Sequence, residues 1–138
     1  MQRHSFTRMA CHLVCSTKHR LLHLETEEDC EVILGFMAIK ARELGGYVEA
    51  AGGWRDHVHL LLQFRPTRAV VELYGQMKGF SAAMWRRRFP GRPFKWQDGV
   101  FLKTVDPDRS DDLRMYIRGQ WRRHESGLVV AELEANLT

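Results

Sequence analysis

Cysteine is scarce in this chain and poorly spaced for cross-linking: Cys11, Cys15 and Cys30 are an odd number with no C-x-x-C pair among them. That argues against a disulfide framework and against a cysteine-based zinc site, and leaves three small buried thiols of an intracellular protein. No apolar run approaches a membrane span, and the basic N-terminus lacks the apolar stretch of a signal peptide. A soluble, cytoplasmic protein is expected. Internal repeats and low-complexity segments are also missing, and 138 residues suit one domain, 1–138, in which catalysis and substrate binding share a surface. The chain has only one H-x-H motif, which argues against phosphoesterases built on two such motifs.

Acidic residues are absent between Lys78 and Lys95, where Lys78, Arg86, Arg87, Arg88, Arg92 and Lys95 alternate with Phe80, Trp85, Phe89 and Phe94. The overall charge is only +4, so this local concentration says more than the sum. Basic side chains can hold phosphates while rings stack on unpaired bases; the plainer reading of each individual ring is a core residue. Lys18 and Arg20, in the polar loop Thr17-Lys18-His19-Arg20, extend the basic set.

Hydrophobic periodicity predicts a strand over 7–16, with Met9, Cys11, Leu13 and Cys15 on one face and His12 and Val14 on the other. A helix over 26–44 follows, opened by Thr26 with acidic residues behind it and stopped by Gly45-Gly46. Strands are expected at 47–51 and 56–64, a helix from 68 to 89 capped by Thr67 and weakened at Gly75 and Gly79, and a strand at 99–105. Ser110-Asp111-Asp112 opens a last helix over about 110–125, anchored by Leu113, Ile117 and Trp121. Leu128, Val129, Val130 and Leu133 beyond it suit a docking segment in an oligomer. Without the last helix, the order is that of a ferredoxin-like split βαβ domain. The expected class is therefore α+β: an antiparallel sheet with helices on one face and an appended C-terminal helix.

Within Asp56-His57-Val58-His59-Leu60-Leu61-Leu62, strand geometry puts His57 and His59 on one face and Val58, Leu60 and Leu62 on the other. Two imidazoles so placed can ligate one divalent ion and leave positions open for a phosphate oxygen and water. An isolated H-x-H is a weak signal, since a metal needs further ligands. His12 can approach from a neighbouring strand, while His4, His19, His23 and His124 read as surface or secondary phosphate-binding residues. On the last helix, Tyr116 and Gln120 are four residues apart and share a side. A phenol beside a metal-bound phosphate can attack phosphorus, and a glutamine carbonyl can complete the ion's ligand set. Taken alone, the pair is more often structural.

Five blocks in order resemble the single-tyrosine HUH transposases of the insertion-sequence 200/605 type. They are Val14-Cys15-Ser16-Thr17-Lys18-His19-Arg20, Asp56-His57-Val58-His59-Leu60-Leu61, Lys78-Gly79-Phe80-Ser81, Phe94-Lys95-Trp96-Gln97-Asp98-Gly99 and Tyr116-Ile117-Arg118-Gly119-Gln120. The resemblance implies that His57, His59 and Gln120 bind Mg²⁺ or Mn²⁺ and that Tyr116 is the nucleophile. It further implies a 5′-phosphotyrosine intermediate on hairpin-bearing single-stranded DNA, with release of a 3′ hydroxyl. A homodimer is implied as well, in which the tyrosine helix commonly reaches the partner's histidines. Lys18, Arg20, Lys78, Arg86, Arg87, Arg88, Arg92 and Lys95 are the candidate DNA contacts. Where the family often has an aromatic and small residues after the glycine of its fourth block, this chain has Val100-Phe101-Leu102-Lys103. The competing reading is a DNA- or RNA-binding regulator on the same fold that has lost strand transfer.

Overall fold

Alternating side chains place strand β1 (Met9–Ser16) between two differently covered faces. A computed structural model of the chain describes residues 7–134. In it, β1 is joined by β2 (Tyr47–Trp54), β3 (His57–Phe64) and β4 (Phe101–Val105) in one antiparallel sheet of order β2-β3-β1-β4. Helices α1 (Glu27–Glu43) and α2 (Val70–Arg88) complete the βαββαβ order, so the expected split βαβ architecture is observed. No described helix is long and apolar enough to cross a membrane.

The main core lies between the sheet and α1 and α2. Cys11, Leu13, Cys15, Val58, Leu60 and Leu62 meet Ile33, Met37, Leu73, Met77 and Trp85, all buried. Period-2 alternation sends the intervening residues to the opposite face, where Ala10, Ala50 and Leu61 pack against Ile117. Helices α1 and α2 thus cover one face, as expected, and the second cluster lies under the appended C-terminal region. The C-terminal helical region, α3 (Asp111–Arg118) and α4 (Gln120–Ser126), occupies the side that the first two helices leave open.

Several boundaries differ from the sequence reading for local reasons. Pro66 and Thr67 form a turn, so α2 starts at Val70 with Ala69 at its N-cap and no capping side chain. The helix then runs unbroken through Gly75 and Gly79, where an added Cβ would meet nothing. The single helix expected over 110–125 divides at Gly119 (φ −92°, ψ 15°). Ser110, expected to cap it, donates its hydroxyl to the Asp106 carbonyl instead.

The start of α1 follows its sequence closely. Thr26 Oγ1 accepts from the Asp29 N–H (3.1 Å) and the Asp29 carboxylate accepts from the Thr26 N–H (3.4 Å), a capping box. Arg92 donates two further bonds to the same carboxylate (3.1 and 2.6 Å). Burial pushes the Asp29 pKa up, but the Arg92 guanidinium and the N–H groups of Glu25 and Thr26 hold it below the ordinary value. Such a depressed pKa contributes stability that is present above the unfolded pKa, about 4, and is lost as pH falls through the folded one. Asp29→Ala is expected to lose about 2 kcal/mol at neutral pH. In urea melts the gap from wild type narrows as pH falls below 4; an equal gap at pH 3 and pH 7 contradicts the assignment.

Candidate metal and tyrosine site

Positions 57 and 59 meet the sheet at β1 on one side and β2 on the other. The β3 register pairs His57 with Ser16 and Trp54, and His59 with Val14 and Gly52. Both imidazoles are buried, at 2% and 0% exposure, under the C-terminal helical region. Asp56, in the turn before β3, takes the back of the first ring: His57 Nδ1 lies 2.7 Å from Asp56 Oδ1. Arg20 braces that carboxylate through Nε (3.1 Å) while a second nitrogen donates to Ser16 Oγ (2.8 Å). The loop that supplies Arg20 holds His19 and Arg20 in the left-handed region, φ 56° each, a conformation non-glycine residues seldom adopt without compensating contacts. Its backbone is tied to the β2–β3 turn by Thr17 N–H to Asp56 O (2.8 Å) and Leu24 N–H to Arg55 O (3.1 Å).

Helix α3 is seated on β2 by close backbone approach as well as by side chains. Gly52 lies so close to the end of the helix that an added Cβ would fall 1.9 Å from the Ile117 carbonyl oxygen. A β-bulge between Val48 and Ala50 re-aims the intervening Glu49. Its carboxylate bonds Arg114 (3.2 and 3.3 Å) and its carbonyl accepts from Arg118 (3.2 Å). Trp121 on α4 packs against Trp54, with ring centroids 4.6 Å apart. These contacts bring Tyr116, buried, over its own chain's histidines, with ring centroids of Tyr116 and His59 6.2 Å apart.

The group that joins them is Glu134. Its Oε1 is 3.0 Å from His57 Nε2, 3.3 Å from His59 Nε2 and 3.2 Å from His124 Nε2. Its Oε2 accepts from Gln120 Nε2 (3.2 Å) and, in a short contact, from the Tyr116 hydroxyl. Tyr116 Oη also accepts the Val130 N–H (2.9 Å). The segment read as a docking segment thus touches the site through its backbone, while the side chains of Leu128, Val129 and Val130 are exposed. Gln120 Oε1 faces His124 Nε2 at 3.1 Å.

The charges fit this packing. Burial draws the His57 pKa down, but the hydrogen bonds and charges of Asp56 and Glu134 overcome it and leave the imidazole above its ordinary value. His59 goes the other way: burial outweighs Glu134 and lowers it. Burial raises Glu134, yet the bonds from His124, His57 and His59 hold it far below the carboxylate range. Tyr116 is raised by burial and by Glu134, which accepts its proton in a hydrogen bond.

The ligating atoms of His57, His59 and Glu134 lie within 4.8 Å of one another. Two imidazoles and a carboxylate make a donor set that suits a divalent cation. Of the residues selected from sequence, His57, His59, Tyr116 and Gln120 converge here. Glu134 was missed, because nothing in its spacing marks it. His124, expected at the surface, faces the same carboxylate, and its four-residue spacing from Gln120 was an available signal.

The basic candidates separate into two groups. Lys78 donates to the carbonyls of Gln97 (2.6 Å) and Gly99 (3.2 Å), Arg86 to that of Phe94 (2.9 Å), and Arg92 pairs with Asp29 and Glu25. These side chains hold the 94–99 segment and α1 in place, as Arg20 holds Asp56. Arg87, Arg88 and Lys95 are exposed, and Lys18 lies 3.9 Å from Asp98. Lys18, Arg86 and Lys95 border an open groove of about 700 Å³ that also includes Leu21, His23 and Phe94. Of the interleaved rings, Trp85 and Phe94 are buried in the main core and Phe89 packs against it half-buried, while Phe80 is half-buried with Lys40 over its face. His4 lies outside the described residues.

Comparison with solved structures gives the same fold. A candidate transposase from Deinococcus radiodurans R1 matches with a TM-score of 0.68 and 24% identity, over 88% of this chain and 97% of that one. A REP-associated tyrosine transposase bound to a REP hairpin matches with a TM-score of 0.62 and 12% identity, over 94% of this chain and 75% of that one. No curated protein matches the sequence. The family model described as "Transposase IS200 like" matches residues 5–120, most of the chain. A tyrosine beside a two-histidine, one-carboxylate cluster on this sheet is thus found in a chain that belongs to the IS200-like transposase family.

Proposed function

We propose that this protein cuts and rejoins single-stranded DNA through a covalent bond to Tyr116. One observation carries the reading: the Tyr116 hydroxyl and both histidine Nε2 atoms meet on the two oxygens of one carboxylate. Nucleophile and metal ligands therefore lie within the span of a single small anion, so one phosphodiester can face both. His57, His59 and Glu134 offer their donor atoms as they stand, and a half-turn of the Gln120 amide brings its carbonyl to where Nε2 now points. A divalent ion held there supplies charge stabilisation at the phosphoryl oxygens.

Tyr116 Oη forms the new bond to phosphorus while the bond to the 3′ oxygen breaks, releasing a 3′ hydroxyl. The phenolic proton already has an acceptor in contact, Glu134 Oε2. Rejoining reverses the step with an incoming 3′ hydroxyl, and the phosphotyrosine conserves the phosphodiester energy without a nucleotide cofactor. The groove bordered by Lys18, Arg86 and Lys95, with Arg87 and Arg88 nearby in sequence, is the proposed path for a hairpin-bearing strand. The relative solved with a REP hairpin supports that substrate class.

The test is a denaturation-resistant protein–DNA adduct formed from end-labelled, hairpin-bearing single strands, including the element's own genomic flanks, with Mg²⁺ or Mn²⁺. Adduct is expected with either ion and none with EDTA. Binding without adduct in any divalent ion favours the regulator reading instead.

A further inference from the structure

Each imidazole ligand proposed above has a second nitrogen, and the two are backed differently. His57 Nδ1 meets the Asp56 carboxylate at 2.7 Å, a familiar arrangement in which the acceptor fixes the tautomer that leaves Nε2 free for a metal. His59 Nδ1 has no carboxylate; it lies 2.8 Å from His12 Nε2. His12 projects from β1 on the site face, two residue pairs along from His59 in the register, since His12 pairs with Leu61 and Val14 with His59. The two rings are nearly parallel at 24° with centroids 5.1 Å apart, and Phe101 of β4 closes the far side of His12 edge-on at 5.6 Å. At 2% exposure, His12 is sealed from solvent. A buried imidazole aimed at another imidazole has one productive polarity at a time, because only one of the two facing nitrogens can carry the proton.

We propose that His12 is a positioning residue of the metal centre: its Nε2 accepts the Nδ1–H of His59 and holds that ring in the tautomer whose Nε2 lone pair faces the ion. The inference rests on the reading of His57 and His59 as ligands. It gives His12 a specific task that an apolar residue of the same volume cannot perform, and it accounts for a buried polar side chain between the histidine pair and the apolar cluster of Ala10, Leu61 and Ile117. Loss of such a backing group lowers metal affinity about 10- to 100-fold.

Mn²⁺ binding to the purified protein, read by the loss of the free-ion EPR signal, tests this without DNA. The proteins compared are wild type, His57→Ala, and His12 replaced by Gln, Met or Phe, with circular dichroism recorded in EDTA. Glutamine can place an acceptor near the position of Nε2, whereas methionine has similar length but offers only a weak thioether acceptor. The expected result is that Met and Phe weaken binding at least ~10-fold, and that Gln stays within a few-fold of wild type. If Phe fails to fold, the comparison of Gln with Met decides. Equal binding by wild type and the Met variant, or equal weakening by Gln and Met, overturns the role of His12. If wild type and His57→Ala bind Mn²⁺ alike, it is the ligand assignment itself that fails.

Discussion

Tyr116→Phe forms no covalent adduct with single-stranded DNA, a loss of at least ~10³-fold relative to wild type, while binding of the same strand persists. The substitution removes one oxygen from a buried ring whose position is set by other contacts: Arg123 lies over its face at 4.5 Å and the neighbouring Ile117 is fully buried in the second core cluster. Fold and groove therefore survive, and only the atom that would bond to phosphorus is lost. Adduct formation by Tyr116→Phe at the wild-type rate would remove Tyr116 from the mechanism. The same variant settles which chain's histidines are used. Mixed with His57→Ala, it should recover no adduct if attack is in cis, because neither chain then carries both halves of the site. Recovery toward a quarter or more of wild-type yield would mean that the tyrosine helix works on a partner's histidines.

Gly52→Ala is expected to slow adduct formation about 100-fold without unfolding the sheet. The new Cβ would meet the Ile117 carbonyl oxygen at 1.9 Å, its carbon at 3.0 Å and Gln120 Cβ at 3.4 Å. Two of those three atoms are backbone, so rotamer changes cannot relieve the clash, and the end of α3 must move by more than 1 Å to restore ordinary contact. Tyr116 precedes the clashing residue and Gln120 follows it by three, so both are carried with it. Displacement of a reacting group by about 1 Å costs on the order of 10² in rate. Strand β2 is at an edge of the sheet and the main core lies on the other face, so the change reaches the site before it reaches the fold. Amide exchange should quicken across 111–126 but not in β1 or β3. An unchanged adduct rate in Gly52→Ala would show that the helix is not seated there when it acts.

The metal-ligating pair shows why some of the site was legible from sequence. Period-2 geometry puts His57 and His59 on one face whatever surrounds them, and the apolar Val58, Leu60 and Leu62 between and beyond them identify the buried face. Helical spacing likewise puts Tyr116 and Gln120 together, even across the break at Gly119, because the chain continues in helical form on both sides. The order and class of the core elements followed from similar local periodicities. The basic run was only partly legible: Lys78, Arg86 and Arg92 bond carbonyls and carboxylates of the same chain, while Arg86 and Lys95 also border the groove and Arg87 and Arg88 are exposed. Composition records which groups are present and is silent about which of them are already bonded.

Local sequence thus determined the strands and their two faces, the paired imidazoles and the tyrosine with its glutamine, because each depends on residues fewer than five positions apart. Tertiary structure alone decided what surrounds them. His12 reaches His59 through strand register across 47 positions, and Gly52 acts through the nearness of a helix more than sixty positions downstream. Glu134 arrives from 75 positions beyond His59 to join the metal ligands to the tyrosine. Such contacts depend on chain closure and shape complementarity over the whole domain, and no spacing rule along the sequence encodes them.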